Sequence, residues 1–332
     1  MSYPWQVLKY LVLFLARTVL AALILLLSSS PVEQVVKYPA RIIHIVVGYA
    51  AGGSSDTYTR SVAQPLTEIL GQQILVENRP GESGNVAAFA VIKAKPDGHT
   101  LLSLGSNNLV NHWLFKNKRF DILASIAPVA QISSGYGVLV VHPDFPAKTI
   151  PEFIRYAQEH RGLLYGAAGV GSSSHLFAEL LNRELNLGML PLQYKGNSET
   201  VNQLVGGHIQ VMFSDIPTAL PFIRSGDLRP LGVTSPEPLS TFPGLPAIAK
   251  FVPDYRAQTW IGIGAPKETP EDILLLLNQV ILTALGDKRF KEVAERDSSV
   301  ITPMNLKKFR SFVEEDFRKW EKVIRDAKIQ IE

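Results

Sequence analysis

The chain has 332 residues, 46% of them hydrophobic, no cysteine, and 33 Lys and Arg against 30 Asp and Glu. That length supports two domains with separate cores. The lack of cysteine excludes disulfides, zinc–thiolate centres, cysteine nucleophiles and acylation of an N-terminal cysteine, and the near-balanced charge, with no basic stripe, excludes nucleic acid as the expected partner.

Residues 1–30 carry only Lys9 and Arg17 as charges, set around the apolar runs 10–16 and 18–27 and followed by Ser28-Ser29-Ser30-Pro31. A cationic start, an apolar stretch and small residues follow the plan of a cleaved secretory signal. Arg17 interrupts the stretch, and an uncleaved membrane anchor competes because 10–27 approaches the minimum spanning length of about 17 residues. Export is the expectation. Without residues 1–30 the chain carries 31 Lys and Arg against 30 Asp and Glu.

Beyond this leader, short β-branched runs alternate with longer stretches of helical period, which predicts α/β layers on mainly parallel sheets. Strands are predicted at 42–47, 74–77, 100–104, 137–141, 163–165, 190–193, 209–213, 231–234 and 260–264. The first leads into Gly48-Tyr49-Ala50-Ala51-Gly52-Gly53-Ser54-Ser55-Asp56. A small-residue loop that opens a helix leaves backbone N–H groups close to any ligand, so it suits a carboxylate or phosphate. The spacing approaches a P-loop, but Ser54 stands where that motif needs lysine. Asp56 is expected to cap the following helix, with a ligand amino group as its alternative use. Pro65 falls inside the helix expected over 56–70, where an interior proline costs about 3 kcal/mol, so a kink or early break is expected. Gly71 reads as the stop of that helix, and Pro80-Gly81 and Pro96-Asp97-Gly98 read as turns.

Ser106-Asn107-Asn108 follows strand 100–104, and Ser214-Asp215-Ile216-Pro217 follows strand 209–213. Both lie at C-terminal strand ends, where open α/β sheets hold ligands. Thr149-Ile150-Pro151-Glu152 reads as a capping box. A second small-residue loop, Gly166-Ala167-Ala168-Gly169-Val170-Gly171-Ser172-Ser173-Ser174-His175, follows strand 163–165. Ser174 replaces the third glycine of a dinucleotide fingerprint, and no Gly-x-Ser-x-Gly elbow supports a hydrolase. His175 is expected in the first turn of a helix, shaping the loop. The other six histidines show no metal-ligand spacing, so neither metal nor cofactor is expected. Five prolines within 236–253 mark a connecting segment, and Val141-His142-Pro143 marks a second crossing. The expected division is 38–140 with 245–332 as one discontinuous domain and 141–244 as the other. In the last helix, Leu306, Phe309, Val313, Phe317, Trp320 and Ile324 recur at three and four residues, which predicts a core-facing stripe.

Several segments in fixed order resemble the Bug family of extracytoplasmic solute receptors, the binding-protein component of tripartite tricarboxylate transporters. They include Tyr38-Pro39-Ala40-Arg41-Ile42, Ala51-Gly52-Gly53-Ser54-Ser55-Asp56, Val76-Glu77-Asn78-Arg79-Pro80-Gly81, Lys95-Pro96-Asp97-Gly98-His99-Thr100, Gly171-Ser172-Ser173-Ser174-His175, Tyr194-Lys195-Gly196 and Gly206-Gly207-His208-Ile209-Gln210. The resemblance covers about Tyr38 to Ile329. It implies an α/β, two-domain periplasmic-binding-protein type II fold with a ligand cleft between the domains. It also implies a small carboxylate held by backbone N–H groups, hydroxyls and ordered waters, with no arginine clamp. Carried onto this chain, it points to Tyr49, Ala51, Gly52, Gly53, Ser54 and Asp56 on one lobe. It points to Gly169, Gly171, Ser172, Ser173, Ser174, His175, Tyr194 and Asp215 on the other, with Ser106 and Asn107 close by. Ala50-Ala51 depart from the prolines common before the Gly-Gly pair, and Ser214-Asp215 stand where an Asp-Asn pair is common.

The implied function is a periplasmic receptor, monomeric, that captures a small carboxylate or amino acid by hinge closure and delivers it to a membrane permease. No bond is made or broken. An enzyme at the same cleft is the rival, disfavoured because no nucleophile–base pair has a recognisable context; a ligand-presenting sensor subunit is a third reading. A bulky residue at Gly53 is expected to block the cleft.

Overall fold

The computed structural model describes Lys9 and residues 38–115 and 120–329. The leader of the sequence reading lies outside the described residues apart from Lys9, and among the described residues no helix is long and apolar enough to cross a membrane. The chain divides into two units, residues 1–40 and 41–332. The sheets, helices and cavities described below belong to the second.

Its strands and helices follow in the order β1 (Ile43–Val47), α1 (Ser54–Leu70), β2 (Ile74–Asn78), α2 (Asn85–Ile92), β3 (Thr100–Gly105), α3 (Ser106–Leu114), α4 (Ile122–Ser125), β4 (Ile126–Gly135) and β5 (Gly137–Val141). Then come α5 (Ile150–Glu159), β6 (Leu164–Ala167), α6 (Ser173–Leu185), β7 (Leu190–Gln193), α7 (Asn197–Val205), β8 (Val211–Asp215), α8 (Ile216–Ser225) and β9 (Arg229–Val233). The series ends with β10 (Thr259–Pro266), α9 (Glu271–Ala284), α10 (Lys288–Arg296) and α11 (Leu306–Asp326).

The strands form two five-stranded sheets, ordered β2-β1-β3-β10-β4 and β7-β6-β8-β5-β9. In each, three strands run parallel and the last two pairings are antiparallel. Both sheets are therefore mixed, where the alternation of strands and helices predicts mainly parallel ones. The antiparallel member next to the parallel trio is the strand that arrives from the other lobe: β10 returns to the first sheet, and β5 enters the second. One crossing lies between Gly135 and Gly137, and the other in the proline-rich stretch between Val233 and Thr259. These two sheets with their helices make two α/β lobes.

β4 is absent from the predicted strands. It is an edge strand paired with β10 and bridged at Ser134 to Val300, and the free edge beside Pro128 accommodates that proline in the ladder. Nine of its ten residues are buried, Gln131, Ser133 and Ser134 among them, so no polar–apolar alternation marks it. α1 runs through Pro65 to Leu70 with the proline buried, so the early break expected there does not occur. Gly71 ends this helix in the left-handed region, its N–H donating to the Thr67 carbonyl. At α5 the Thr149 hydroxyl accepts from the Glu152 N–H, while the Glu152 carboxylate accepts from the Lys148 N–H, one residue outside the box.

α11 spans both cores. Phe309 and Val313 pack with Leu102, Leu104 and Trp260 of the first lobe, and Trp320, Val323 and Ile324 pack with Leu139, Phe177 and Phe213 of the second. Between them, buried Asp316 accepts a hydrogen bond from Trp260 Nε1 (2.8 Å) and pairs with Lys319 Nζ (2.6 Å). The predicted stripe faces the core as expected, with Phe317 only partly buried.

Candidate functional site

Each lobe ends its parallel strands at helix N-termini. β1 turns into α1 through the first glycine-serine loop, β3 runs directly into α3, β6 turns into α6 through the second loop, and β7 leads to α7. Gly105, Ser106 and Asn107 at the start of α3, Ser54 and Ser55 at α1, Ser172 and Ser173 at α6, and Gly196 and Asn197 at α7 line one cavity of about 430 Å³. Helix N-termini carry unpaired N–H groups and the positive end of the macrodipole, so an anion placed among four of them is stabilised without a cation. Among the described residues no charged side chain lines this cavity.

The structure brings Tyr49, Ser54, Ser106, Asn107, Gly169, Gly171, Ser172 and Ser173 to that wall. The Tyr49 hydroxyl donates to the Ser83 carbonyl (2.9 Å) and accepts from Asn107 Nδ2 (3.1 Å). Burial pushes the phenol pKa up, with the Asn107 bond opposing it. Gly53, the N-cap of α1, brings no side chain to the helix end, and no side-chain bond caps it. Ser172, by contrast, caps α6, its hydroxyl accepting from the His175 N–H (3.3 Å).

Other predicted positions stand behind the wall or beside it. Asp56 is the third residue of α1 and is buried; its carboxylate accepts from Arg60 Nε, Asn78 Nδ2 and the Gly52 N–H, each at 2.9 Å. Burial alone would raise its pKa, but Arg60, the Gly52 N–H and Asn78 outweigh that and hold it below the usual aspartate value. Asp56 is thus taken up in shaping the loop, and it does not line the cavity. Ser174 accepts from the Ala168 N–H (2.8 Å) and His175 Nδ1 from the Gly171 N–H (3.1 Å). His175 is buried, which lowers its pKa to about 4, so it is the neutral ring that accepts. Asp215 caps α8, accepting from the Thr218 N–H and hydroxyl (2.9 and 2.6 Å), and it also accepts from the Asn197 amide. Tyr194 donates its N–H to the Ala167 carbonyl and packs against the second lobe's core. Ala51, Gly52 and Gly53 are exposed. A Cβ on Gly53 would find nothing nearer than the Ala50 carbonyl at 3.6 Å, so the fold itself leaves room for a side chain there.

The cavity also takes residues that the sequence reading did not single out: Ser83, Ser103, Val110, Asn111, Leu114, Asn197, Thr259, Trp260 and Ile261. Ser83 sits in a turn in which Gly81, Glu82, Ser83 and Gly84 all have positive φ. Its carbonyl is gripped by Tyr49 and by Asn111 Nδ2 (2.8 Å), and such strained backbone persists only where neighbours hold it. The signal available for it was Gly81-Glu82-Ser83-Gly84, where two glycines bracket a turn. Asn78 locks the first loop from behind, donating to the Tyr49 carbonyl (3.0 Å) and to Asp56.

Two mixed α/β sheets joined by two crossings around a cleft lined with helix N-termini define a solute-binding-protein architecture. A family model described as tripartite tricarboxylate transporter family receptor matches residues 58–329. Protein BugT of Bordetella pertussis is 30% identical over 294 residues, covering 87% of this chain and 90% of that protein. Among solved structures, R. palustris Rpa4515 with adipate superposes with a TM-score of 0.72 at 29% identity, over 89% of this chain and 100% of that one. MatC from Rhodopseudomonas palustris with bound malate does so with a TM-score of 0.69 at 28% identity, over 86% and 100%. The chain belongs to the tripartite tricarboxylate transporter receptor family.

Proposed function

We propose that this receptor captures a small carboxylate in the 430 Å³ cavity by closure of its two lobes and hands it, chemically unchanged, to the membrane permease of a tripartite transporter. The convergence of four helix N-termini on a cavity that no charged side chain lines among the described residues carries this reading. A carboxylate there exchanges its hydration for N–H, hydroxyl and amide donors from both lobes, so the bound anion favours the closed arrangement. Tyr49, Ser54, Ser106, Asn107, Gly169, Gly171, Ser172 and Ser173 form the contact set. Asp56, Ser174, His175 and Asp215 fix the loops that present it, and Ala51, Gly52, Gly53 and Tyr194 shape their turns. The protein works as an exported monomer in the periplasm; its two domains divide at the strand crossings, near residue 136 rather than 140 and within the stretch between Val233 and Thr259, and these crossings are the hinge.

Adipate and malate, seen in the two related structures, are the first ligands to test. Thermal unfolding of the full-length chain against these and a panel of aliphatic, hydroxy, aromatic and amino acids is expected to give a rise in Tm that grows with the concentration of a true ligand. NMR of the recovered ligand is expected to show it intact. Turnover in place of a Tm shift would support an enzyme at the same cleft.

A further inference from the structure

The second crossing is gripped from both sides by one helix. Tyr255 and Ala257 pack in the second lobe's core and Trp260 in the first lobe's, so the chain changes lobes between residues 257 and 260. On α11 the same change falls between Val313, in the first core, and Trp320, in the second. Asp316 and Lys319 occupy that interval. Asp316 is 3% exposed; one carboxylate oxygen accepts from Trp260 Nε1 (2.8 Å) and the other pairs with Lys319 Nζ (2.6 Å). Lys319 Nζ also donates to the Arg256 carbonyl (3.2 Å). The ion pair therefore holds the crossing at Arg256 on the second-lobe side and at Trp260 on the first-lobe side.

From Trp260 the contact runs on to the ligand. Thr259, Trp260 and Ile261 line the ligand cavity, and Ile261 pairs with Gly105, the N-cap of α3. A Cβ on Gly105 would stand 3.0 Å from the Trp260 carbonyl oxygen, so this strand rests directly on one of the four helix ends. Thr259 Oγ1 donates to the Gly135 carbonyl (3.3 Å) and ties the same stretch to the first crossing. Asp316 and Lys319 themselves do not line the ligand cavity; they line a separate one of about 690 Å³ with Tyr136, Thr234 and Gln258 of the crossings.

Resting on the carboxylate-receptor reading, we infer that Asp316 and Lys319 form a clasp across the hinge, and that Lys319 is a positioning residue for a ligand it never touches. Turning one lobe against the other about this crossing changes the separation of Arg256 from Trp260, and the ion pair is bonded to both. The buried carboxylate holds its countercharge, because an unpaired charge there is strongly disfavoured. The clasp thus narrows the range of open arrangements that the free receptor visits. A receptor with fewer open arrangements gives up less freedom on closing, so the clasp raises affinity for a ligand that closes the lobes.

The test titrates the full-length chain and its variants with malate, adipate and the other acids of the panel, and measures the radius of gyration of free and ligand-saturated protein by small-angle scattering. Lys319→Met combined with Asp316→Asn removes both charges and the grip on Arg256, leaves no unpaired buried charge, and keeps an acceptor for Trp260 Nε1. This double variant is expected to bind about tenfold more weakly than wild type, with a larger radius of gyration when free and an unchanged one when saturated. Lys319→Arg keeps the charge and is expected to bind within about threefold of wild type. Should the double variant fail to fold, acetylation of the unaltered protein decides: saturating ligand is expected to slow modification of Lys319 about threefold or more relative to exposed Lys322. A double variant with wild-type affinity or wild-type free dimensions, or in that second experiment a Lys319 rate indifferent to ligand, overturns the inference while leaving the receptor reading intact. A wild-type protein that binds no acid of the panel defeats both.

Discussion

The loop before α1 and the loop before α6 both turn a strand into a helix at the cavity, but they are held in place by different forces. The first is anchored within its own lobe by charge: Asp56, Arg60 and Asn78 clamp it from behind. The second is pinned by packing from the opposite lobe, Leu114 against Gly171, and by neutral bonds to Ser174 and His175. It also uses more of its backbone donors internally, since the N–H groups of Ala168, Gly171 and His175 are all bonded within the loop. The first loop, with no side-chain cap on α1, keeps more of its donors for a ligand. Similar small-residue strings therefore divide the work: one lobe supplies donors on a fixed frame, and the other supplies a surface whose position depends on its neighbour.

The largest expected effect tests that contrast with a matched pair. Gly171→Val adds a side chain where φ is +74° and Leu114 is already in the way, and it should cost about 3 kcal/mol with loss of ligand binding. Gly53→Ala, at φ −75° with open space, should stay within about 0.5 kcal/mol. Urea unfolding midpoints and ligand titrations compare the two, and equal losses would erase the distinction between the loops. Next, Asp56→Ala removes a buried acceptor of three hydrogen bonds and should cost about 2 kcal/mol. Its native pKa lies below the ordinary 3.8, so the stability it supplies is complete above pH ~4 and is lost as pH falls through its native value. Acid unfolding of wild type and variant should therefore converge at low pH, and a constant gap down to pH 2 would remove the charge clamp.

The smallest effect concerns His175. Its folded pKa of about 4 lies below the ordinary 6.5, so the unfolded chain binds the extra proton first and stability falls as pH drops from about 6.5 towards 4. The loss at pH 5.5 is about 1 kcal/mol. His175→Asn keeps an acceptor for the Gly171 N–H while removing the titration, and its stability should lack this component. A variant that loses stability over this range as steeply as wild type would show that the imidazole does not titrate as described.

Much of this arrangement is legible in the residues. Nine strands are read within a few residues of their observed ends because β-branched runs bounded by Gly and Pro report local preference. The Gly71 stop and the His175 position follow from the same local rules. β4 escapes because burial on both faces erases alternation and because its serines and Pro128 read as loop. The antiparallel halves of both sheets escape because strand direction in a sheet depends on which segment returns from the other lobe. At the site, the two loops announce themselves by composition, whereas Val110, Leu114 and Asn111 sit on a helix whose apolar face looks like ordinary core.

Sequence alone determines the local chemistry here: where backbone N–H groups lie open, which turns need glycine, and that neither cysteine chemistry nor a lysine phosphate grip is on offer. These are properties of a few neighbouring residues. Tertiary structure decides what those groups face. It takes Asp56 out of the cavity by surrounding it with Arg60, Asn78 and Gly52, gathers four helix N-termini from segments more than 140 residues apart, and sets Leu114 of one lobe against Gly171 of the other. Such pairings depend on how two separately folded sheets are joined by their crossings, and no window of sequence contains that information.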